Sequence, residues 1–319
     1  MENYNEKVGR VLFQLRKQRG LTQKALINYN KTTSPICEES TLRRIEKGRH
    51  KVSPKILSML LDALGVSLPK FIQLLDGKNL TDFNRDFSEI WDLWFQGQYE
   101  KGRSQLEILK TKLYCDTTVL SIKQAILLCD SLVQIDIEGD MPGCVNTLHK
   151  AICVTLPRVL KNGEIDCKFI AARPLTLNEY RILKLLAVAE SRMGHQQICI
   201  NLLSAICESL QSKKVDVEIR NRLLSDIYYN LSDELIDTEQ YIDALDACKK
   251  GIQFCKQVNN HRRLPLLYYS KGKALYYLDE GTRAVKAFKQ SYHASRVIEG
   301  EKAALKTKEM VAEKYKIFI

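Results

Sequence analysis

The chain has 319 residues, 45% of them apolar and 27% charged, which supports a full hydrophobic core and two domains rather than one. No apolar run approaches the ~18 residues of a membrane span, and no secretory leader opens the sequence, so a cytoplasmic protein without membrane contact is expected. The net charge of +11 is unevenly placed: residues 1–72 hold 14 Lys/Arg against 6 Asp/Glu, a net +8, leaving +3 on the other 247. Such concentration favours neutralisation of phosphates by the first segment.

A short polar lead, 1–7, precedes helices predicted at 8–19, 22–29, 39–47, 54–64 and 68–75. VGRVLFQLRKQRG is amphipathic and basic, and LTQKAL starts the second helix with Thr22 as its cap and Gln23 in its first turn. In TLRRIEKGR, Leu42 and Ile45 are three apart and share a buried face, while Ser40, Thr41, Arg43 and Arg44 lie around the other side. Gly48 is a natural left-handed stop, and Ser53-Pro54 starts the helix before LLDALGVSL. A short helix that buries Leu and Ile while presenting Ser, Thr and Arg suits the major groove of DNA.

This segment resembles the helix-turn-helix domain of Cro/C1-type (Xre-like) repressors, through its basic first helix, its Leu21-Thr22-Gln23 start and its Ile45-Glu46-Lys47-Gly48 finish. The resemblance implies a structural Arg16–Glu46 pair and a Gln23 that touches phosphate or a base edge. It also implies base and phosphate contacts from Glu39, Ser40, Thr41, Arg43 and Arg44, with Arg49 and Lys51 against the DNA backbone. NYNKTTSPICEES is about five residues longer than the usual turn of these domains, which leaves the start of the recognition helix open. The plainer alternative is a small helical bundle with a basic surface.

A domain boundary is expected at Asp76-Gly77-Lys78-Asn79, where the Gly ends a helix, giving domains 1–75 and 76–319. From Thr81 onward nothing reads as a strand series, and long amphipathic helices alternate with brief polar turns. GQYEKG at Gly97 has later relatives in GDMPGCVNTLHKAI, GHQQICINLLSAI, TEQYIDALDACKKGI and DEGTRAVKAFKQSY. Their small anchors Gly102, Cys144, Cys199, Ala244 and Ala284 are 42, 55, 45 and 40 residues apart. Ala187, Ser232 and Gly272 recur in the first helices, as close helix pairs need. The pattern looks like a tetratricopeptide (TPR) array of about five hairpins over 81–295, with a capping helix at 300–316; an irregular bundle is the duller alternative. The expected fold is therefore all-α, a helix-turn-helix domain followed by a right-handed superhelix of hairpins.

A DNA-reading domain in front of such an array resembles the peptide-pheromone-responsive Rgg/PlcR/PrgX (RRNPP) regulators. That resemblance implies a homodimer that binds a double-stranded operator and takes a short signalling peptide into the TPR groove, as in quorum sensing. It also implies asparagines on the inner helices that grip the peptide backbone, and Asn230 matches. Asp226, Asn230, Asp233 and Asp237 share one helix face; Tyr269, Lys273 and Tyr277 make a second stripe, and Arg181, Lys184 and Arg192 a third, suited to a carboxylate. Any of these stripes can equally be a solvated helix face. Ten cysteines without CxxC spacing read as buried, reduced thiols. Five scattered histidines and the absence of a Walker loop, dinucleotide fingerprint or nucleophile elbow suggest no metal, no cofactor and no enzyme. Two further functions stay open: a DNA-binding regulator whose TPR array holds another protein, and a TPR adaptor without specific DNA binding.

Overall fold

The structure, a computed structural model, describes residues 4–29, 35–111 and 120–319, and of residues 69–70, 73, 76–82 and 84 the backbone alone. It divides into two units, Met1–Gln96 and Gly97–Ile319.

The first unit contains α1 (Tyr4–Gln18), α2 (Gln23–Ile27), α3 (Glu39–Glu46), α4 (Pro54–Leu64) and α5 (Leu68–Phe95). Leu12, Leu26, Leu42, Ile45, Leu60 and Leu64 are almost wholly buried and form its core. The caps follow the sequence. Thr22 Oγ1 accepts from the Ala25 amide, Ser53 Oγ accepts from the Ile56 amide, and Gly48 has φ +69° beyond the end of α3. Helices α1 and α3 meet backbone to backbone, since a Cβ on Gly9 would lie 2.2 Å from the Ile45 carbonyl oxygen. The expected helix end at Gly77 does not occur, because α5 runs through it. A glycine inside a helix costs only about 1 kcal/mol. Phe71 and Leu75 before it, and Phe83, Phe87, Ile90 and Trp94 after it, bury enough surface to carry the helix across. Residues 30–34 of the long turn lie outside the described residues.

The second unit begins with α6 (Tyr99–Leu109). Then come α7 (Leu120–Val133), prolonged by a π-helical turn Gln134–Glu138, and α8 (Met141–Thr155). A small interruption follows, strands β1 (Leu160–Lys161) and β2 (Glu164–Ile165) paired antiparallel, and α9 (Cys167–Ala171). The array resumes with α10 (Leu177–Arg192), α11 (Gln196–Gln211), α12 (Val217–Asp237), α13 (Tyr241–Gln257), α14 (Leu264–Tyr277) and α15 (Gly281–Ile298). The capping helix α16 (Glu301–Tyr315) packs on α15. Hairpins α7/α8, α10/α11, α12/α13 and α14/α15 stack in chain order, each second helix touching the next first helix. The anchors Gly102, Cys144, Cys199, Ala244 and Ala284 are all buried, as are Ala187, Ser232 and Gly272. The ribbon and α9 account for the long 55-residue interval. A two-stranded ribbon turned by Asn162-Gly163, both at positive φ, is too short to read as a strand series.

Candidate functional site

In the first unit the recognition-helix pattern is met. Leu42 and Ile45 are buried, Glu39, Ser40, Arg43 and Arg44 are exposed, and Thr41 is half-buried. Arg49 and Lys51 follow the helix and are exposed. Arg43 stands 3.8 Å from Glu39, one turn back. Arg16 donates from Nε to Glu46 Oε1 at 2.6 Å and from a second nitrogen to Oε2 at 2.8 Å, with a third bond to the Leu21 carbonyl. Gln23 donates to the same Glu46 Oε2 at 2.6 Å. The resemblance to Cro/C1-type domains implied the Arg16–Glu46 pair but not this turn of Gln23 toward it.

The second unit brings the three stripes together. Lys184 on α10 lies 3.5 Å from Asp226 on α12, and Arg263 at the head of α14 donates to both Asp226 oxygens, at 2.5 and 3.1 Å. Three successive first helices are thus bridged by one carboxylate. Burial pushes the Asp226 carboxyl up, but the Arg263 hydrogen bonds and the charges of Lys184, Arg263 and Arg262 outweigh it and hold its pKa below the ordinary value. Burial lowers the pKa of Lys184, and the charge and hydrogen bond of Asp226 only partly restore it against the repulsion of Arg263 and Arg262. Lower on the same face, Lys273 donates to Asp233 at 2.8 Å, with Asp237 at 3.9 Å. Asn230 stands between the two ion clusters, four residues after Asp226 and three before Asp233. It is half-buried, and among the described residues its amide has no hydrogen-bond partner.

The other residues sit at the margins. Arg181 bonds to Asn178 at 3.3 Å, and Arg192, exposed, approaches Asp136 at 3.9 Å. Tyr277 stacks on Tyr241 with centroids 5.0 Å apart, and Tyr269 is half-buried against Phe288 and Tyr315. Sequence reasoning missed Arg263 and Tyr315. Arg263 lies before the first turn of α14, outside the helical stripe that selected its neighbours. Tyr315 arrives from the capping helix, a placement no local spacing reveals. Of the cysteines, Cys129, Cys144, Cys199, Cys207, Cys248 and Cys255 are buried thiols; burial pushes Cys144, Cys207 and Cys248 up to about 12. Among the described residues no His/Cys/Asp/Glu group is placed to hold a metal ion, and no helix is long and apolar enough to cross a membrane.

Comparison with known proteins follows this division. Residues 7–70 match the family described as a helix-turn-helix domain, and residues 171–302 match the RNPP family C-terminal domain. The second match places an RNPP-type C-terminal domain over residues 171–302. Among solved structures it is similar to Bacillus thuringiensis PlcR in complex with the peptide PapR7 and DNA, at 20% identity and TM-score 0.71, over 97% of this chain and 100% of that one. ComR from S. thermophilus, in complex with DNA and its signalling peptide ComS, aligns at 14% identity and TM-score 0.59, over 95% and 98%. The Streptococcus dysgalactiae SHP pheromone receptor Rgg2 gives 14% and 0.59, over 97% and 99%. These likenesses establish the shared fold. No curated protein matches the sequence.

Proposed function

We propose that this protein is an RNPP-type regulator, a cytoplasmic, non-catalytic transcription regulator whose affinity for a DNA operator is set by a short signalling peptide. The first unit reads DNA, and the second binds the peptide and dimerises. The PlcR structure holds a peptide and DNA in one complex, and the same two ligands are assigned to this chain. The observation that carries the peptide assignment is the free Asn230 amide, set between two ion clusters on a face shared by α10, α12 and α14. An amide offers a donor and an acceptor side by side, which grips a peptide unit whatever its side chain. Lys184 is the cation left for a ligand carboxylate, because Arg263 dominates Asp226; Arg181 and Arg192 extend that end. Tyr269, Lys273 and Tyr277 form the other end, and Asp226 and Asp233 hold the cations in place.

The test is calorimetry with synthetic peptides encoded in short reading frames beside the gene. Asn230→Ala should lower affinity by about 1–3 kcal/mol, tenfold or more, and leave peptide-free DNA binding unchanged. Unchanged peptide affinity removes Asn230 from the site. If no peptide binds the wild type, a protein partner for the array is favoured; if no operator shift appears either, the adaptor role is.

A further inference from the structure

The first unit carries a feature that the recognition-helix assignment does not use. Between α1 and α3 opens a cleft lined by Arg10, Phe13, Gln23, Arg43, Glu46 and Lys47, in which one aromatic ring stands among three cations. Phe13 forms the apolar part. It points away from the core, 41% exposed, while Leu12 beside it is fully buried. Its ring is held by two cations, the Arg16 guanidinium carbon 5.3 Å and the Lys17 ammonium 5.7 Å from its centroid. Glu46, the one acid among these lining residues, has a side chain only 4% exposed, ion-paired with Arg16 and hydrogen-bonded by Gln23, which offsets its repulsion of an anion.

We infer that Phe13 is a DNA contact: its ring packs on the apolar face of one deoxyribose while the cations that line the cleft meet the adjoining phosphate. This rests on the DNA-binding function proposed above and adds to it the strand unit that α1 takes. A sugar–phosphate unit is the part of DNA that joins an apolar face to an anion at short range. Two lining residues, Gln23 and Arg43, already belong to the predicted reading surface, so the cleft continues that surface. An aromatic ring there contributes contact area without charge. It therefore adds affinity that salt does not screen.

The experiment uses the full chain and a duplex recovered by wild type from a random-sequence library. Phe13→Ala should weaken binding about tenfold on this duplex and on unrelated duplexes alike, with the slope of log affinity against log salt unchanged. Hydroxyl-radical footprinting should show protection lost at one sugar per half-site and kept elsewhere, and Phe13→Leu should retain most of both. Should Phe13→Ala unfold, benzoylphenylalanine at position 13 keeps the test open, with photocapture expected at a deoxyribose. Protection lost in proportion at every sugar means Phe13 only braces the Arg16–Glu46 pair, and the inference falls. It also falls if replacing thymines by uracil abolishes the Phe13→Ala effect, since the partner is then a thymine methyl. If wild type selects no duplex, the DNA-binding function itself fails, a result distinct from wild-type binding that Phe13→Ala leaves unaltered.

Discussion

At the scale of single residues, the first unit hangs on Glu46. Its carboxylate is 4% exposed and takes two bonds from Arg16, itself 6% exposed, and one from Gln23. Removing one partner of a buried pair strands the other charge, so Glu46→Ala should destabilise the unit by about 3–5 kcal/mol, and Glu46→Gln by less. Hydrogen exchange of α1 and α3 in the full chain measures this; unchanged protection would refute it. The exposed arginines behave differently. Arg43→Ala or Arg44→Ala should cost about 1–3 kcal/mol of operator affinity and relax base preference at one position. Lys51→Ala should weaken all sequences alike and flatten the salt slope. In the second unit Asp226 sets a pH dependence. Its folded pKa is depressed below an unfolded value of about 3.9. The stability it contributes is therefore fully present above that value and lost as pH falls through the folded one. Acid titration of unfolding should show this loss in wild type and not in Asp226→Asn.

At the scale of elements, the hairpins depend on close approach at small residues. A Cβ on Gly272 would meet the Phe288 ring at 2.5 Å, whereas one on Gly281 would meet nothing within 4 Å. Gly272→Val should therefore cost about 1–3 kcal/mol and displace the Phe288–Tyr315 stack, whose centroids lie 5.0 Å apart. Gly281→Ala should change stability by no more than about 0.5 kcal/mol. Thermal unfolding with tyrosine fluorescence separates the two, and equal midpoints would overturn the assignment. The small anchors were legible in the sequence because a helix–helix crossing tolerates few residue types, so Ala187, Ser232 and Gly272 announce themselves without any neighbour in view. The caps at Thr22, Ser53 and Gly48 were legible because each is satisfied within four residues of itself. Continuity through Gly77 was not. It depends on burial of Phe83, Phe87 and Ile90, and a weak local breaker loses to that. For the candidate site, the one-face spacing of Asp226, Asn230 and Asp233 was readable from helical period. The Lys184–Asp226–Arg263 bridge was not, since its members come from three hairpins and their separations follow from stacking alone.

At the scale of the whole molecule, the charge distribution and the demands of DNA reading converge on a dimer. A helix-turn-helix unit presents one short recognition helix, and a single half-site offers too few base contacts for tight specific binding. Two units are needed, spaced by about one helical turn of DNA, roughly 34 Å. With net +8 on residues 1–72, two such segments repel one another, so apposition must come from the rest of the chain, which carries only +3. The second unit has apolar groups to spend on this: Ile242 is 74% exposed and Val297 83%, on α13 and α15. We propose that the second unit holds the dimer and that peptide bound across α10, α12 and α14 alters it through the ionic bridge those first helices share. Light scattering of the free protein should give the mass of two chains at micromolar concentration. Ile242→Asp combined with Val297→Asp should shift it toward one chain while leaving the helical content intact. Footprints should be two-fold symmetric for wild type and reduced to weak single half-sites for the double variant. A strict monomer, with and without operator, would refute the dimer.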